Sequence, residues 1–220
     1  MSEFSSAALE VVCCDETLSL LPVKAAWWAA RKTLFAADIH AGKEQAFNRA
    51  GIAVPAGVSE DTLSLLMNAV DHTGAERLVI LGDLLHAVPD RSEAWQTHWQ
   101  TLLAARAQLD VQVIIGNHDT LTARQRLIAP VHWQTELVEP PFVCLHHPRE
   151  DPRGYVLAGH IHPVWQLSVG RRQRIRAPVF WFRQQSAILP SFGLFTGGHL
   201  IERGKADRLY LAGDDCVLEV

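Results

Sequence analysis

The residues best equipped for chemistry fall in five short segments, each closing an apolar run. They are Asp38-Ile39-His40, Gly82-Asp83, Gly116-Asn117-His118-Asp119, His146 after Cys144-Leu145, and Gly159-His160-Ile161-His162. Aspartate and asparagine offer hard oxygen donors, histidine a borderline nitrogen, and no segment brings a thiolate pair. Such a mixture suits two divalent ions sharing a carboxylate, an arrangement that drives phosphoester hydrolysis. Asp38 and His40 are two apart, so an extended backbone would turn both toward the same side and onto one ion. Asp83 follows a glycine that permits a tight approach, and its two oxygens make it the candidate bridge. Asn117 would add a neutral oxygen and so preserve the Lewis acidity of the second ion.

The elements that must position these groups can be read from hydrophobic periodicity. Residues 78–81 and 111–115 read as buried strands, which places each ligand segment where a strand gives way to a loop. Residues 23–28 and 33–37 read as a hairpin. A helix is expected to open at Ser59-Glu60-Asp61, with Leu63, Leu66, Met67 and Val70 on its apolar stripe. A second should run from a Ser92 cap to about residue 108. After Pro140 the pattern changes to strands near 142–145, 156–158, 164–169, 174–176, 179–182 and 187–189. Alternation followed by strands fits an α/β sandwich of two sheets flanked by helices. Phe180, Trp181 and Phe182 could offer a base-stacking surface, but aromatic residues in strands more often pack a core.

Composition fits a compact enzyme. The 220 residues, 48% hydrophobic, suffice for one domain over residues 1–220 with a large core. The first residues lack the pattern of a signal peptide, and no apolar stretch approaches the roughly 20 residues that span a bilayer, so a cytoplasmic protein is expected. Cys13, Cys14, Cys144 and Cys216 have no zinc or redox spacing and read as reduced, mostly buried thiols. The formal net charge of -4 is not that of a dedicated duplex binder. Acids outnumber bases up to residue 120, however, and bases outnumber acids beyond it. The cluster Arg171, Arg172, Arg174 and Arg176 reads either as a solvated hairpin turn or as a phosphate-backbone contact.

The order D-x-H, G-D, G-N-H-D, H, G-H-x-H resembles the calcineurin-like metallophosphoesterase superfamily. Further segments resemble its bacterial branch of ligase-associated DNA damage response endonucleases: residues 37–43, Arg49 to Pro55, Gly82 to His86, Gly159 to Pro163 and Leu189 to Gly198. The likeness runs from about Leu18 to the C-terminus. It implies a four-layer αββα sandwich with two mixed sheets. It also implies that Asp38, His40 and His162 hold one metal, that Asn117, His146 and His160 hold the other, and that Asp83 serves both. His146 is favoured over its neighbour His147. Manganese is the expected metal, with iron or zinc as alternatives.

His118 is expected to face the substrate and assist the leaving group, for which an imidazole with a pKa of about 6.5 is suited. Asp119 would either orient His118 or simply shape the turn. The nucleophile would be hydroxide activated between ions roughly 3.5–4 Å apart. Lys43 and Arg49 could meet a substrate phosphate or merely begin an exposed helix, and His86 is a further candidate for substrate contact. The resemblance points to a DNA endonuclease working beside a DNA ligase, a helicase and an exonuclease, away from the membrane. Without a capping insertion between the motifs, an open groove favouring single-stranded or unpaired DNA is expected. The motifs alone also allow a phosphomonoesterase or a small-nucleotide phosphodiesterase; a metal-free interaction scaffold would lack a reason to keep every ligand.

Overall fold

A computed structural model describes residues 8–169 and 173–220. Its first sheet has seven strands in chain order: β1 (Leu9–Cys13), β2 (Glu16–Leu21), β3 (Ala25–Trp28), β4 (Thr33–Ala36), β5 (Arg77–Ile80), β6 (Asp110–Ile114) and β7 (His132–Gln134). The strands up to β4 pair antiparallel, and β4 to β7 pair parallel. Parallel neighbours need crossovers. Helix α1 (Lys43–Arg49) and helix α2 (Val58–Thr73) lie between β4 and β5, α3 (Ala94–Ala104) between β5 and β6, and α4 (Leu121–Arg126) between β6 and β7.

The second sheet is built from β8 (Leu137–Glu139), β9 (Phe142–Cys144), β10 (Tyr155–Ala158), β11 (Pro163–Val169), β12 (Gln173–Phe182), β13 (Ser186–Ile188), β14 (His199–Leu200), β15 (Arg208–Ala212) and β16 (Val217–Glu219). Its order is β14-β11-β12-β13-β10-β9-β8, with β15 beside β12 and β16 beside β15. Within it β9, β10 and β13 run parallel.

Strand alternation sorts the core into layers. Phe35, Ala37, Val79 and Leu81 turn inward, where they meet Phe142, Leu157, Phe180 and Phe182 of the second sheet. Leu34, Ala36, Leu78 and Ile80 turn outward, onto Leu63, Leu66 and Met67 of α2 and Trp95 and Trp99 of α3. Among the described residues, the helix side chains buried in apolar clusters all cover the first sheet. The outer face of the second sheet carries two smaller clusters, around Val143 and Val156 and around Val179 and Leu209.

Several local expectations are corrected. Neither serine caps its helix. Gly57 precedes α2, and the Ser59 hydroxyl instead donates to Glu44 and accepts from Gly42 N. Ser92 bonds Asp90, and α3 starts at Ala94 and stops four residues short of 108. The two strands expected across residues 174–182 are one continuous β12. Phe180 and Phe182 are core residues, while Trp181 donates to Asp207. Cys13 and Cys144 are buried but Cys14 is exposed, and all four cysteines are free. Arg174 and Arg176 are exposed on the β11–β12 hairpin, whereas Arg171 and Arg172 lie outside the described residues. No helix among the described residues is long and apolar enough to cross a membrane.

Candidate metal centre

Five parallel strands aim their carboxyl ends at one place. Asp38 and His40 follow β4, Asp83 follows β5 and Asn117 follows β6; His146 follows β9, and His160 and His162 follow β10. Ligands at the carboxyl edge of parallel strands are the general rule for such sheets. Here two sheets supply them, so the site straddles the sandwich.

The backbone at the site is unusual. Asp38, His40, Asp83, His160 and His162 all have positive φ, between 50° and 71°. The expectation that Asp38 and His40 share an extended segment is therefore corrected: both lie in the left-handed region after the strand has ended. Conformations of this kind cost free energy and persist where surroundings over-determine them. The amide of Asp38 donates to Gly82 O, that of His40 to Asp83 O, and that of His160 to both oxygens of Asp38 at 3.1 and 3.0 Å. Three glycines leave room for ligand side chains. A Cβ on Gly82 would lie 2.0 Å from His146 Nδ1, one on Gly116 2.1 Å from Asp83 Oδ1, and one on Gly159 2.7 Å from Asp38 Oδ2.

The donors form two groups around Asp83. In one, His40 Nε2 lies 3.3 Å from His162 Nε2, and His162 Nε2 lies 3.4 Å from Asp38 Oδ1. In the other, Asn117 Oδ1 lies 2.9 Å from His146 Nε2 and 3.0 Å from His160 Nδ1, with 3.2 Å between the two imidazole nitrogens. Asp83 Oδ2 stands 4.0 Å from His40 Nε2 and 3.5 Å from His146 Nε2. Two nitrogens held about 2.0–2.1 Å from one ion at a tetrahedral angle would be roughly 3.3 Å apart. Both groups therefore fit a divalent ion, with Asp83 between them.

Electrostatics agree. Burial, reinforced by the charges of His162 and Lys43, pushes the pKa of His40 down to about 2, leaving a neutral ring with a free lone pair. Burial and then His147 and His146 lower His160 as well. Burial also opposes the charged form of His162, but the Asp38 hydrogen bond and charge outweigh it and raise its pKa. A cation between Asp38 and His162 would serve the same electrostatic end. His146 Nδ1 lies 3.0 Å from Leu81 O, which can only accept, so His146 presents Nε2 to the site. His147 is exposed, its ring 4.0 Å from that of His160, so His146 is the histidine that reaches Asn117.

The remaining expected residues divide. The backbone N–H of His118 donates to Asp83 Oδ1, and His118 Nδ1 donates to His86 O at 2.8 Å. Its Nε2 is thereby the nitrogen available to a substrate. The carboxylate of Asp119 turns away from that ring: Oδ1 accepts from Leu85 N at 2.9 Å and Oδ2 from Gly116 N at 3.0 Å. Burial raises the Asp119 pKa although these amides oppose the shift. Asp119 braces the loop, the turn-shaping alternative of its two expected roles. Arg49 is bound to Glu93, whose other oxygen accepts from Trp95 Nε1, so Arg49 points into a structural contact rather than the site. Lys43 is half-buried, its pKa lowered by burial, with Nζ 5.8 Å from the centre of the Phe47 ring. His86 stacks on His118 at 5.1 Å, and burial followed by the charges of Lys43 and His118 pushes its pKa down to about 4.

The segment after β13, among residues 189–198 that resemble the nuclease branch, has a structural role that its sequence alone does not assign. Ser191 Oγ donates to Asp38 O, Phe192 N to Ala37 O, and Lys24 Nζ to Phe192 O. This segment fastens the first ligand strand to the second sheet. Its density of Pro, Ser and Gly was the available signal.

Fold and site together define a class. The chain belongs to the calcineurin-like phosphoesterases, whose family model matches residues 31–192, and it is therefore a metal-dependent phosphoesterase. Among solved structures, the Pseudomonas putida nuclease MPE is 34% identical to it, covers 97% of this chain and 100% of its own, and superimposes with a TM-score of 0.81. A protein of unknown function, AQ665 from Aquifex aeolicus, is 18% identical over 59% of this chain and 78% of its own, with a TM-score of 0.41, too low to carry an argument. No curated protein matches the chain.

Proposed function

We propose that this protein is a two-metal phosphodiesterase that cuts DNA internally, forming one domain over residues 1–220. The observation that carries the reading is the pair of donor groups flanking Asp83, with the free Nε2 of His118 beside them. Asp38, His40 and His162 would hold one ion, Asn117, His146 and His160 the other, and Asp83 would bridge. When bound, the two ions supply Lewis acidity to the phosphate oxygens and to the attacking water.

The chain's own residues account for the rest. The ring of His118 is fixed by the His86 carbonyl, so a proton carried on Nε2 can pass to the departing alkoxide oxygen. Asp119 holds the loop that presents Asn117 and His118. The half-buried ammonium of Lys43 can hold a neighbouring phosphate. A nucleic-acid substrate is supported by the 34% identity to a nuclease across the whole fold. Manganese as resident ion and a place in DNA repair with a ligase, a helicase and an exonuclease are supported by the branch motifs of the sequence, and a cytoplasmic location by four free cysteines.

Closed circular single-stranded DNA has no ends, so its conversion to linear fragments reports internal cutting. We expect manganese-dependent linearisation, faster than on duplex circles and weakened by salt. Circles that survive while small phosphomonoesters turn over would refute the nuclease reading and leave a phosphomonoesterase.

A further inference from the structure

Four rings lead away from the site in an unbroken row. His118 stacks on His86 at 5.1 Å, His86 meets Phe47 at 5.9 Å, and Phe47 meets Phe195 edge-on at 6.0 Å. The row ends in the open: Phe195 is 46% exposed and its neighbour Leu194 51%. Between α1 and this loop lies a cavity of about 310 Å³ lined by Lys43, Phe47, Leu194, Phe195, Thr196 and Gly197. Adjacent large apolar side chains at the mouth of a cavity beside a charged site offer an apolar surface to a ligand.

The loop is held in register with the metal ligands. Gly193 N donates to Asp38 O, and Gly197 O accepts from His162 Nδ1 at 3.3 Å. A Cβ on Gly193 would lie 2.8 Å from Ile39 O. On the other wall, Glu44 accepts from Ser59 N and Oγ and fixes the start of α1, next to Lys43. An anchored aromatic surface, a lysine beside it and continuity with the centre suit a planar aromatic ring that offers its π-face and is linked through a sugar to a phosphate. That is the chemistry of an unpaired nucleobase; a base within a duplex is already stacked on its neighbours.

We propose that the cavity beside Phe47 and Phe195 receives the nucleobase on the leaving-group side of the scissile phosphate, stacked on Phe195, with Lys43 on the adjoining phosphate. The side follows from the row of rings, which starts at His118, the group placed at the departing oxygen. This rests on the nuclease reading above and adds to it a reason for preferring unpaired strands.

The test maps manganese-dependent cuts, linkage by linkage, along a single strand carrying one abasic nucleotide at a defined position. Which product end keeps the phosphate identifies the leaving-group side. With unmodified protein, cutting is expected to fall at the linkage whose leaving-group nucleotide is abasic. Phe195→Ala should raise KM on the intact strand about 5- to 100-fold, the range of one lost stacking contact, with a smaller change in kcat. It should also erase the abasic effect, while Phe195→Trp keeps both low KM and abasic sensitivity. A turnover-independent check uses 2-aminopurine at the same position: its fluorescence should be quenched on binding to His118→Ala protein and not to the Phe195→Ala, His118→Ala double variant. Equal abasic effects with and without Phe195, or an effect only on the other side of the cut, overturn the stacking proposal and leave the nuclease reading intact. If the unmodified protein cuts no strand at all, both fall together.

Discussion

The inner wall of the site and its outer rim are held by different means. Asp38, Asp83 and His146 are buried, set on strand ends, and each is admitted by a glycine with no room for a methyl group. The rim, from Lys43 and Phe47 to Phe195, stands on a short helix and a loop that expose large apolar surface. The inner wall is over-determined: backbone amides, carbonyls and steric limits all fix the same donors. The rim is fixed at a few points, by Glu44 with Ser59 on one side and by the Asp38 carbonyl and His162 Nδ1 on the other. Chemistry common to a family can reside in the first, and discrimination among substrates in the second.

Changes to the inner wall should abolish function, whereas changes to the rim should only tune it. Asp83→Ala is expected to have the largest effect, because its carboxylate lies between both donor groups. Metal analysis of the purified variant should show both ions lost and activity at background; two ions retained at unmodified affinity would exclude Asp83 as the bridge. His118→Ala comes next. It should keep both metals and lose roughly 10²–10⁴-fold in rate, as expected for a lost proton donor. The loss should shrink for nitrophenyl esters, whose leaving groups need no proton, and an equal loss on all substrates would assign His118 another task.

Gly116→Ala tests whether steric admission matters as much as ligation. No ligand is removed, yet the added methyl would meet Asp83 Oδ1 and the Asp83 amide. Metal affinity should drop about 10–100-fold, the usual range when a group supporting a ligand is disturbed; titration calorimetry would read it. The smallest effect belongs to Arg49→Gln. Its ion pair with Glu93 is half exposed, so a loss of about 1 kcal/mol or less in unfolding free energy is expected, with kcat/KM on single-stranded DNA unchanged. A large fall in kcat/KM would return Arg49 to the substrate.

The comparison also explains what the sequence could and could not convey. Strand-end ligands were legible because a buried strand leaves an apolar run and the ligand interrupts it, as at Leu81-Gly82-Asp83. The two longest crossover helices, α2 and α3, were legible from their apolar stripes. Their caps were not, because Ser59 and Ser92 have the chemistry of caps but Ser59 is drawn to Glu44, brought near by folding, and Ser92 to its close neighbour Asp90. Arg49 could likewise be read either way, since its partner Glu93 is 44 residues away. Asp119 could be read either way because the amides that donate to it, Leu85 N and Gly116 N, come from two loops. The first two strands are the less legible because each keeps one face toward solvent, with Glu10 and Thr17 exposed, so neither leaves the continuous apolar run of a buried strand.

The division of the ligands between the two sheets has a further consequence, for the order of events during synthesis. Asp38 and His162 belong to one donor group but leave the ribosome far apart in time, roughly 6–25 s at ordinary elongation rates. Residues 189–193, which fasten Asp38 from behind, emerge later still. A nascent chain ending just before His160 already carries five of the seven donors, but it lacks His160 from one group and His162 from the other, and most of the second sheet is still to come. Neither donor group is complete until the chain has passed His162 and β10 has joined the second sheet, so products truncated before His160 are expected to lack a full set of donors for either ion.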